Sequence, residues 1–204
     1  MTPKYYIIIL LMAILVYSNS NVFGQNNKWK LKKSEDGIEV YTREDKVTGN
    51  VEFKASIEIE TTIEALIKVF KDIDAYTVWM EDTKKASILK KINNKEQYIY
   101  IEVDTPWPLQ NRDMPLLQKF IKIDDGIKIK IIGKPNYIPH KRGITRIEKV
   151  IGSWKLIQLP NNKIKIIYQF MADPGLNIPN WIINLFIVDG PFKTLTNLKT
   201  IVEL

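Results

Sequence analysis

The sequence contains no cysteine and a single histidine among its 204 residues. The absence of cysteine excludes disulfide bonds and thiolate metal sites. Only carboxylates could then bind a metal, and no calcium-loop spacing is present, so we expect no metal and no cofactor. His140 lies in the polar stretch 139–142, which favours a surface residue over a catalytic base, and no serine lies in a Gly-x-Ser-x-Gly turn. These absences argue against a metalloenzyme and a hydrolase.

The apolar run at residues 5–17 is shorter than the ~20 residues that span a bilayer. It follows Lys4 and precedes small residues, which is the outline of a secretory signal peptide. We therefore predict a signal peptide at residues 1–24 and one domain at residues 25–204. The mature protein would be secreted or periplasmic; the alternative is a membrane anchor that is not cleaved.

The formal net charge is +7. Lysine alternates with isoleucine at residues 127–130 and 163–166, which predicts the solvated face of strands and not a clustered patch. The basic balance permits contact with anionic lipid or polysaccharide. We expect no nucleic acid partner, because a secreted chain would rarely meet one and no recognition motif is present.

Alternating, β-branched segments fill most of the chain between residues 29 and 172. One amphipathic helix near residues 61–70 interrupts them, and short turns at 93–94, 124–126 and 160–162 separate neighbours. Short connections favour antiparallel pairing. The predicted fold is α+β, with an antiparallel sheet of about nine strands and one long helix at the C-terminus to cover it.

That terminal helix is predicted from about residue 177 onward, after a turn at Asp173-Pro174-Gly175 and a cap at Asn177. Gly190-Pro191 lies in its middle, where we expect a kink or break. A curved sheet around such a helix commonly leaves a cavity in which small ligands bind. The helix stripe expected to face it comprises Trp181, Leu185, Val188 and Phe192, and the last strand would contribute Ile164, Ile166, Tyr168 and Phe170.

Polar candidates cluster in two places. Arg112 and Asp113 follow the rigid segment around Trp107, and as neighbours on a strand they should point to opposite faces. Arg112 or Asp113 could contact the polar head of a ligand, and the carboxylate of Asp113 could instead pair with Arg146, since a lone buried charge is costly. Neither face of residues 143–154, which contain Arg146 and Trp154, is cleanly apolar, and Gly152 suggests a bend or bulge.

These motifs, taken in order, resemble the START domain family, the steroidogenic-acute-regulatory-protein-related lipid-transfer domains, in its secreted bacterial form. The resemblance spans residues 28–204, although the first helix of longer members is missing. The residues that carry it are Trp29, Tyr41, Trp107-Pro-Leu-x-Asn-Arg112-Asp113, Gly152-Ser-Trp154, Asp173-Pro-Gly, Pro179-x-Trp181, Asn184 and Gly190-Pro191-Phe-Lys-Thr-Leu-x-x-Leu198. It implies a helix-grip fold, in which the sheet curls around the C-terminal helix and a hydrophobic tunnel between them holds a lipid or sterol-like molecule.

We therefore expect a monomeric protein that binds a hydrophobic ligand and could also transfer it. We expect transient contact with a membrane and no catalysis. Two alternatives remain open: a cyclase- or aromatase-like enzyme on the same fold, and an interaction domain without a ligand. The predicted ligand-binding residues are Trp107, Arg112, Asp113, Arg146, Trp154, Ile166, Tyr168, Phe170, Trp181, Leu185, Val188 and Phe192.

Overall fold

The computed structural model of the protein describes residues 28–44, 50–173 and 178–203. The predicted signal peptide, the turn residues Pro174 and Gly175 and the cap Asn177 lie outside these ranges. None of the helices within the ranges is both long and apolar enough to cross a membrane.

The N-terminal half has five strands and two helices. Their bounds are β1 Lys30–Glu35, β2 Ile38–Glu44, β3 Val51–Glu60, α1 Ile63–Lys71, α2 Tyr76–Trp79, β4 Thr83–Asn93 and β5 Glu96–Val103. Five further strands and the terminal helical elements come after them. Their bounds are β6 Arg112–Ile123, β7 Gly126–Gly133, β8 Thr145–Arg146, β9 Val150–Gln158, β10 Lys163–Ala172, α3 Asn180–Asn184, a π-helical turn Leu185–Asp189 and α4 Gly190–Val202.

Nine strands form one antiparallel path in the order β1-β2-β3-β10-β9-β7-β6-β5-β4, and the two-residue β8 pairs in parallel with β6. The sheet is curved, and the C-terminal helix lies against it. The predicted fold class is therefore confirmed. We call the face toward the helix concave and the other face convex.

Local sequence explains the tight hairpins. Asp36 and Gly37, between β1 and β2, both have positive φ (51° and 76°), and so do Asn161 and Asn162 between β9 and β10 (61° and 55°). Two consecutive left-handed residues form the turn whose twist matches paired strands, and Asp, Asn and Gly tolerate that conformation best. Gly152 shows no bulge: β9 stays in register on both sides, and a Cβ at this position would lie 2.5 Å from the Phe170 ring. The glycine makes room for that ring.

The concave face carries the core. Ile57, Leu156 and Ile164 of the sheet and Leu195 and Leu198 of α4 are almost completely buried. Each such side chain contributes roughly 1.5–3 kcal/mol. Burial on this scale fixes the second half of the terminal helix firmly to the sheet.

The terminal helix runs without interruption from Asn180 to Val202, so the break expected at Gly190-Pro191 does not occur. The helix instead widens into the π-helical turn, which ends where the Gly190 N–H donates to the carbonyl of Leu185, five residues earlier. Pro191 then falls in the first turn of α4. Because the helix continues through this position, Pro191 removes one backbone hydrogen bond from its interior.

Candidate functional site

A cavity of about 160 Å³ lies between the concave face of the sheet and the first half of the terminal helix. The sheet contributes Phe53, Ile101, Met114, Tyr168 and Phe170, and the helix contributes Ile183, Phe186 and Ile187. The strand residues belong to β3, β5, β6 and β10, so the lining crosses most of the sheet. Such a largely apolar hollow with a few polar groups is the usual form of a small-molecule site.

Few polar groups reach the cavity. Arg112 is 8% exposed, donates from Nη1 to the carbonyl of Gln110 at 3.1 Å, and has its pKa lowered by burial. Asp82 also lines the cavity, and burial, followed by the nearby Glu81, raises the pKa of its carboxyl group. Thr194 of α4 accepts a hydrogen bond from the Glu81 N–H at 3.1 Å, which ties the segment before β4 to the helix. The cavity therefore has an apolar body with one cation and two carboxylates at its wall.

Tyr168 forms the boundary between the cavity and the aromatic core. Its ring stacks on Trp154, with centroids 3.7 Å apart and planes 5° apart, and meets the Phe53 ring edge-on at 4.8 Å. Burial raises the pKa of the Tyr168 phenol well above its ordinary value. Tyr168 and Phe170 line the cavity as predicted, whereas Trp154 and Ile166 lie behind it in the core.

The helix face predicted to line the cavity is not the one that does. Leu185 and Val188 are half-buried, Phe192 is buried with Lys33 Nζ 3.7 Å from its ring centroid, and none of the three lines the cavity. Trp181 is 59% exposed on the outer side.

The π-helical turn contributes to the position of Trp181, whereas Phe192 lies after the turn and packs beside Lys33. An α-helix has 3.6 residues per turn, so one extra residue in a turn rotates the residues before it by about 100° relative to those after it. A stripe drawn at constant spacing through Phe192 therefore reaches the wrong side of α3. Ile182 and Ile183 move toward the sheet, and Trp181 moves into solvent.

Arg112 and Asp113 point to opposite faces of β6, as predicted. Arg112 lines the cavity, whereas the carboxylate of Asp113 is buried on the convex side and receives two hydrogen bonds from Arg146, from Nε at 2.6 Å and from Nη2 at 3.0 Å. Of the two roles left open for Asp113, the ion pair with Arg146 is the one observed.

Arg146 also holds a segment of the chain in place. It donates to the carbonyls of Pro135, Ile138 and Pro139, so the segment 134–144 is tied to the ion pair. The same segment covers part of the convex face, where the Tyr137 ring stacks on Tyr98 at 3.9 Å. Asp113 and Arg146 therefore support the site from outside and do not line it.

Trp107 lies outside the cavity and is 89% exposed. Pro106 and Pro108 flank it in the connection between β5 and β6, and the bond from Trp107 to Pro108 is cis. The ends of this connection are Val103 and Arg112, and both line the cavity. The exposed indole is thus carried by a loop that starts and finishes at the site.

Sequence reasoning did not identify Ile101, Met114, Ile183 or Ile187 as lining residues. The alternation of β5 and β6 placed the first two on an apolar face, but only the strand order shows that this face lies under the helix. Gly190-Pro191 signalled an irregular helix without revealing its kind. Within the described parts of the chain, no group of three His, Cys, Asp or Glu side chains is arranged to hold a metal ion.

A curved antiparallel sheet that grips a C-terminal helix over an apolar cavity defines the helix-grip class of ligand-binding domains. The START domain family matches residues 17–203 of this sequence, and the chain belongs to that family.

Several proteins are similar along most of their length. An uncharacterized protein of Pseudomonas aeruginosa is 29% identical over 198 residues, covering 96% of this chain and 98% of that one. The phosphatidylcholine transfer protein of Rattus norvegicus is 28% identical over 162 residues, 76% of this chain and 75% of its own. The crystal structure of a STAR-related lipid transfer protein fragment from Xanthomonas axonopodis is 32% identical, covers 86% of this chain and 99% of its own, and superimposes with a TM-score of 0.79.

The variant Arg146→Met should destabilise the protein by about 3–5 kcal/mol, because it leaves the buried Asp113 carboxylate without its partner. Urea unfolding measures this. The double variant Asp113→Leu, Arg146→Met removes both charges and should recover much of the loss. Lys165→Ala, which breaks an exposed pair with Glu58, is the control and should cost about 1 kcal/mol or less. If Arg146→Met and Lys165→Ala lowered the free energy of unfolding equally, this result would contradict the role assigned to the buried ion pair.

Proposed function

We propose that the protein binds a lipid in the cavity beneath the terminal helix and transfers it between membranes. The observation that carries this proposal is the apolar hollow enclosed by β3, β5, β6 and β10 on one side and the first half of the helix on the other. One of the similar proteins is named a lipid transfer protein, and another is named a phosphatidylcholine transfer protein. Binding exchanges apolar contact in a bilayer for apolar contact in the protein, at about 25 cal/mol per Å² in either place, so little net free energy is needed.

The volume of the cavity implies movement on loading. A cavity of about 150 Å³ accommodates a molecule the size of benzene. The present cavity, at about 160 Å³, is therefore too small for a whole lipid, and the proposed binding needs a wider state. Loading requires its walls to separate.

The first half of the terminal helix is the wall best suited to move. Among the residues of α3 and the π-helical turn whose side chains are described, only Ile182 is buried, whereas α4 buries Leu195 and Leu198 completely. Lifting the first half exposes less apolar surface than lifting α4 would. The π-helical turn marks the boundary between the two halves and provides the hinge.

Arg112 would meet the polar end of the ligand. Its guanidinium lies at the wall of an otherwise mostly apolar space, and a planar cation with several donors suits a phosphate or carboxylate group. The cavity offers no imidazole, because His140 is exposed and does not line it.

Native mass spectrometry of gently purified protein should show a bound lipid. Ile187→Trp places a larger side chain in the cavity, and overpacking of about 1–3 kcal/mol should lower lipid occupancy roughly tenfold. Ile92→Trp makes the same change at an exposed position of β4 and should leave occupancy unchanged. A lipid-free mass for the unmodified protein, together with no uptake from vesicles, would refute the proposal and favour an interaction domain.

We further propose that Trp107 contacts the membrane during transfer, as part of a transient encounter by a monomer. An indole has the amphipathic character that favours the bilayer interface, and this one projects from the loop that flanks the cavity. Trp107→Ala should slow transfer between vesicles several-fold and leave the amount of bound lipid unchanged. Ile92→Ala, at an exposed site near the other end of β5, is the control. Equal rates for the two variants would exclude this contact.

We also propose that the protein is of the secreted bacterial type of this family, and that residues 1–24 direct the chain out of the cytoplasm and are then removed. The motivation is Lys4 followed by the apolar run 5–17. The mass of the mature protein from its native host should correspond to a chain that starts near residue 25. A full-length mass in the membrane fraction would instead favour the uncleaved anchor.

A further inference from the structure

Four lysines lie together on the convex face, although the sequence alone predicted dispersed charges. They are Lys119 of β6, Lys128 and Lys130 of β7, and Lys155 of β9, and we call them the convex lysine cluster. The strand register places Lys119 directly opposite Lys130 and Lys128 directly opposite Lys155. Because side chains alternate along a strand, the buried neighbours Ile129 and Leu156 face the concave core while the lysines face outward.

The cluster lacks internal compensation. Lys119 pairs with Glu96 at 2.9 Å, but Lys128, Lys130 and Lys155 form no ion pair with any residue that the structure describes. Side chains directly opposite on neighbouring strands have Cβ atoms about 4.5–5.5 Å apart, and like charges in such pairs are destabilising. The register therefore imposes a cost on the centre of the sheet.

Elsewhere the same sheet avoids that cost. Lys165 of β10 lies opposite Glu58 of β3 and pairs with it at 3.3 Å, and Arg43 of β2 lies opposite Glu52 and pairs with it. Side chains of opposite charge thus lie opposite each other across β2, β3 and β10. Across β6, β7 and β9, by contrast, lysines lie opposite lysines. Glu102 and Asp113 also lie opposite each other, but Lys85 and Arg146 lie beside these two carboxylates. Lys128, Lys130 and Lys155 have no such partner among the described residues, and like charges left without a counter-charge indicate a binding surface for an anion.

The surroundings of the cluster extend the basic surface and add apolar area. Ile121, on the convex side of β6 near Lys119, is 41% exposed, and Ile151 on β9 is 60% exposed. The segment 134–144, which lies over the adjoining part of the same face, carries exposed Lys141 and Arg142. Lysine stems can lie along such apolar surface while the ammonium groups remain in water.

We infer that the convex lysine cluster is a docking surface for an anionic lipid bilayer. Interspersed lysine and isoleucine fit the headgroup region, where attraction to anionic lipid adds to the burial of apolar side chains. A single-stranded nucleic acid would instead call for exposed aromatic rings on which bases stack. On this face Tyr98 and Tyr137 already stack on each other. Docking through this face does not depend on the proposed cargo of the cavity.

The test compares two charge reversals of equal size. Lys128→Glu with Lys130→Glu changes the net charge by four and converts both like-charge pairs into opposite-charge pairs, so the fold should be retained and thermal unfolding should occur at the same or a higher temperature. The control is Lys30→Glu with Lys32→Glu, which makes the same change of charge on the edge strand β1. Binding is measured by co-sedimentation with vesicles of phosphatidylglycerol and phosphatidylcholine, and with vesicles of phosphatidylcholine alone.

The unmodified protein should bind the anionic vesicles, and about 0.5 M salt should weaken this binding, because salt screens exposed charge. The cluster variant should bind them about tenfold more weakly or worse, since each lysine near an anionic surface contributes substantially. The control variant should lose much less.

Three outcomes would overturn the inference. Equal loss for both variants would show a general effect of net charge. Undiminished binding of the cluster variant would exclude this surface. Equally tight, cluster-dependent binding to heparin would assign the surface to a soluble polyanion. Native mass spectrometry of the same variants tests the cavity separately. If a variant no longer binds vesicles but still carries its bound lipid, the effect concerns the convex face and not the cavity.

Discussion

A curved sheet and an apolar helix must each bury one face, and here they do so against each other over only half of their length. Leu195 and Leu198 of α4 are completely buried against the concave face. The preceding half, α3 and the π-helical turn, continues over the same sheet without filling it. The cavity is what remains, so its existence depends on the firm packing next to it.

The sheet carries different chemistry on its two faces, and β6 connects them. Arg112 reaches the cavity, while its neighbour Asp113 turns outward and meets Arg146. The outward pair anchors the segment 134–144, which shields one part of the convex face. Another part of that face carries the unmatched lysines. Strand β6 thus contributes to the apolar cavity on one face of the sheet and to the charged surface on the other.

The alternation of apolar and polar residues was sufficient to predict the strands, their antiparallel pairing and the covering helix, because these depend on local periodicity. It also placed Arg112 and Asp113 on opposite faces. It could not decide whether Asp113 pairs with Arg146, because these residues are 33 positions apart and are brought together by β8.

The lysine cluster and the side of the helix that faces the cavity could not be predicted either, because both depend on more than local periodicity. The clustering of Lys128 with Lys155 depends on which strands are neighbours and on their exact register. The helix stripe through Trp181 and Leu185 was wrong because constant spacing assumes one helical geometry throughout. The resemblance to the START family supplied the overall architecture, but not these details.

The π-helical turn makes the lining of the cavity sensitive to residue number as well as to residue type. Removal of one residue from the turn Leu185–Asp189 would rotate the residues before it by about 100° relative to α4, which would turn Trp181 inward and Ile183 away. The backbone of the sheet would be untouched, yet the hollow would meet a different set of side chains. Insertions and deletions of one residue can therefore change what such a domain accommodates without any substitution.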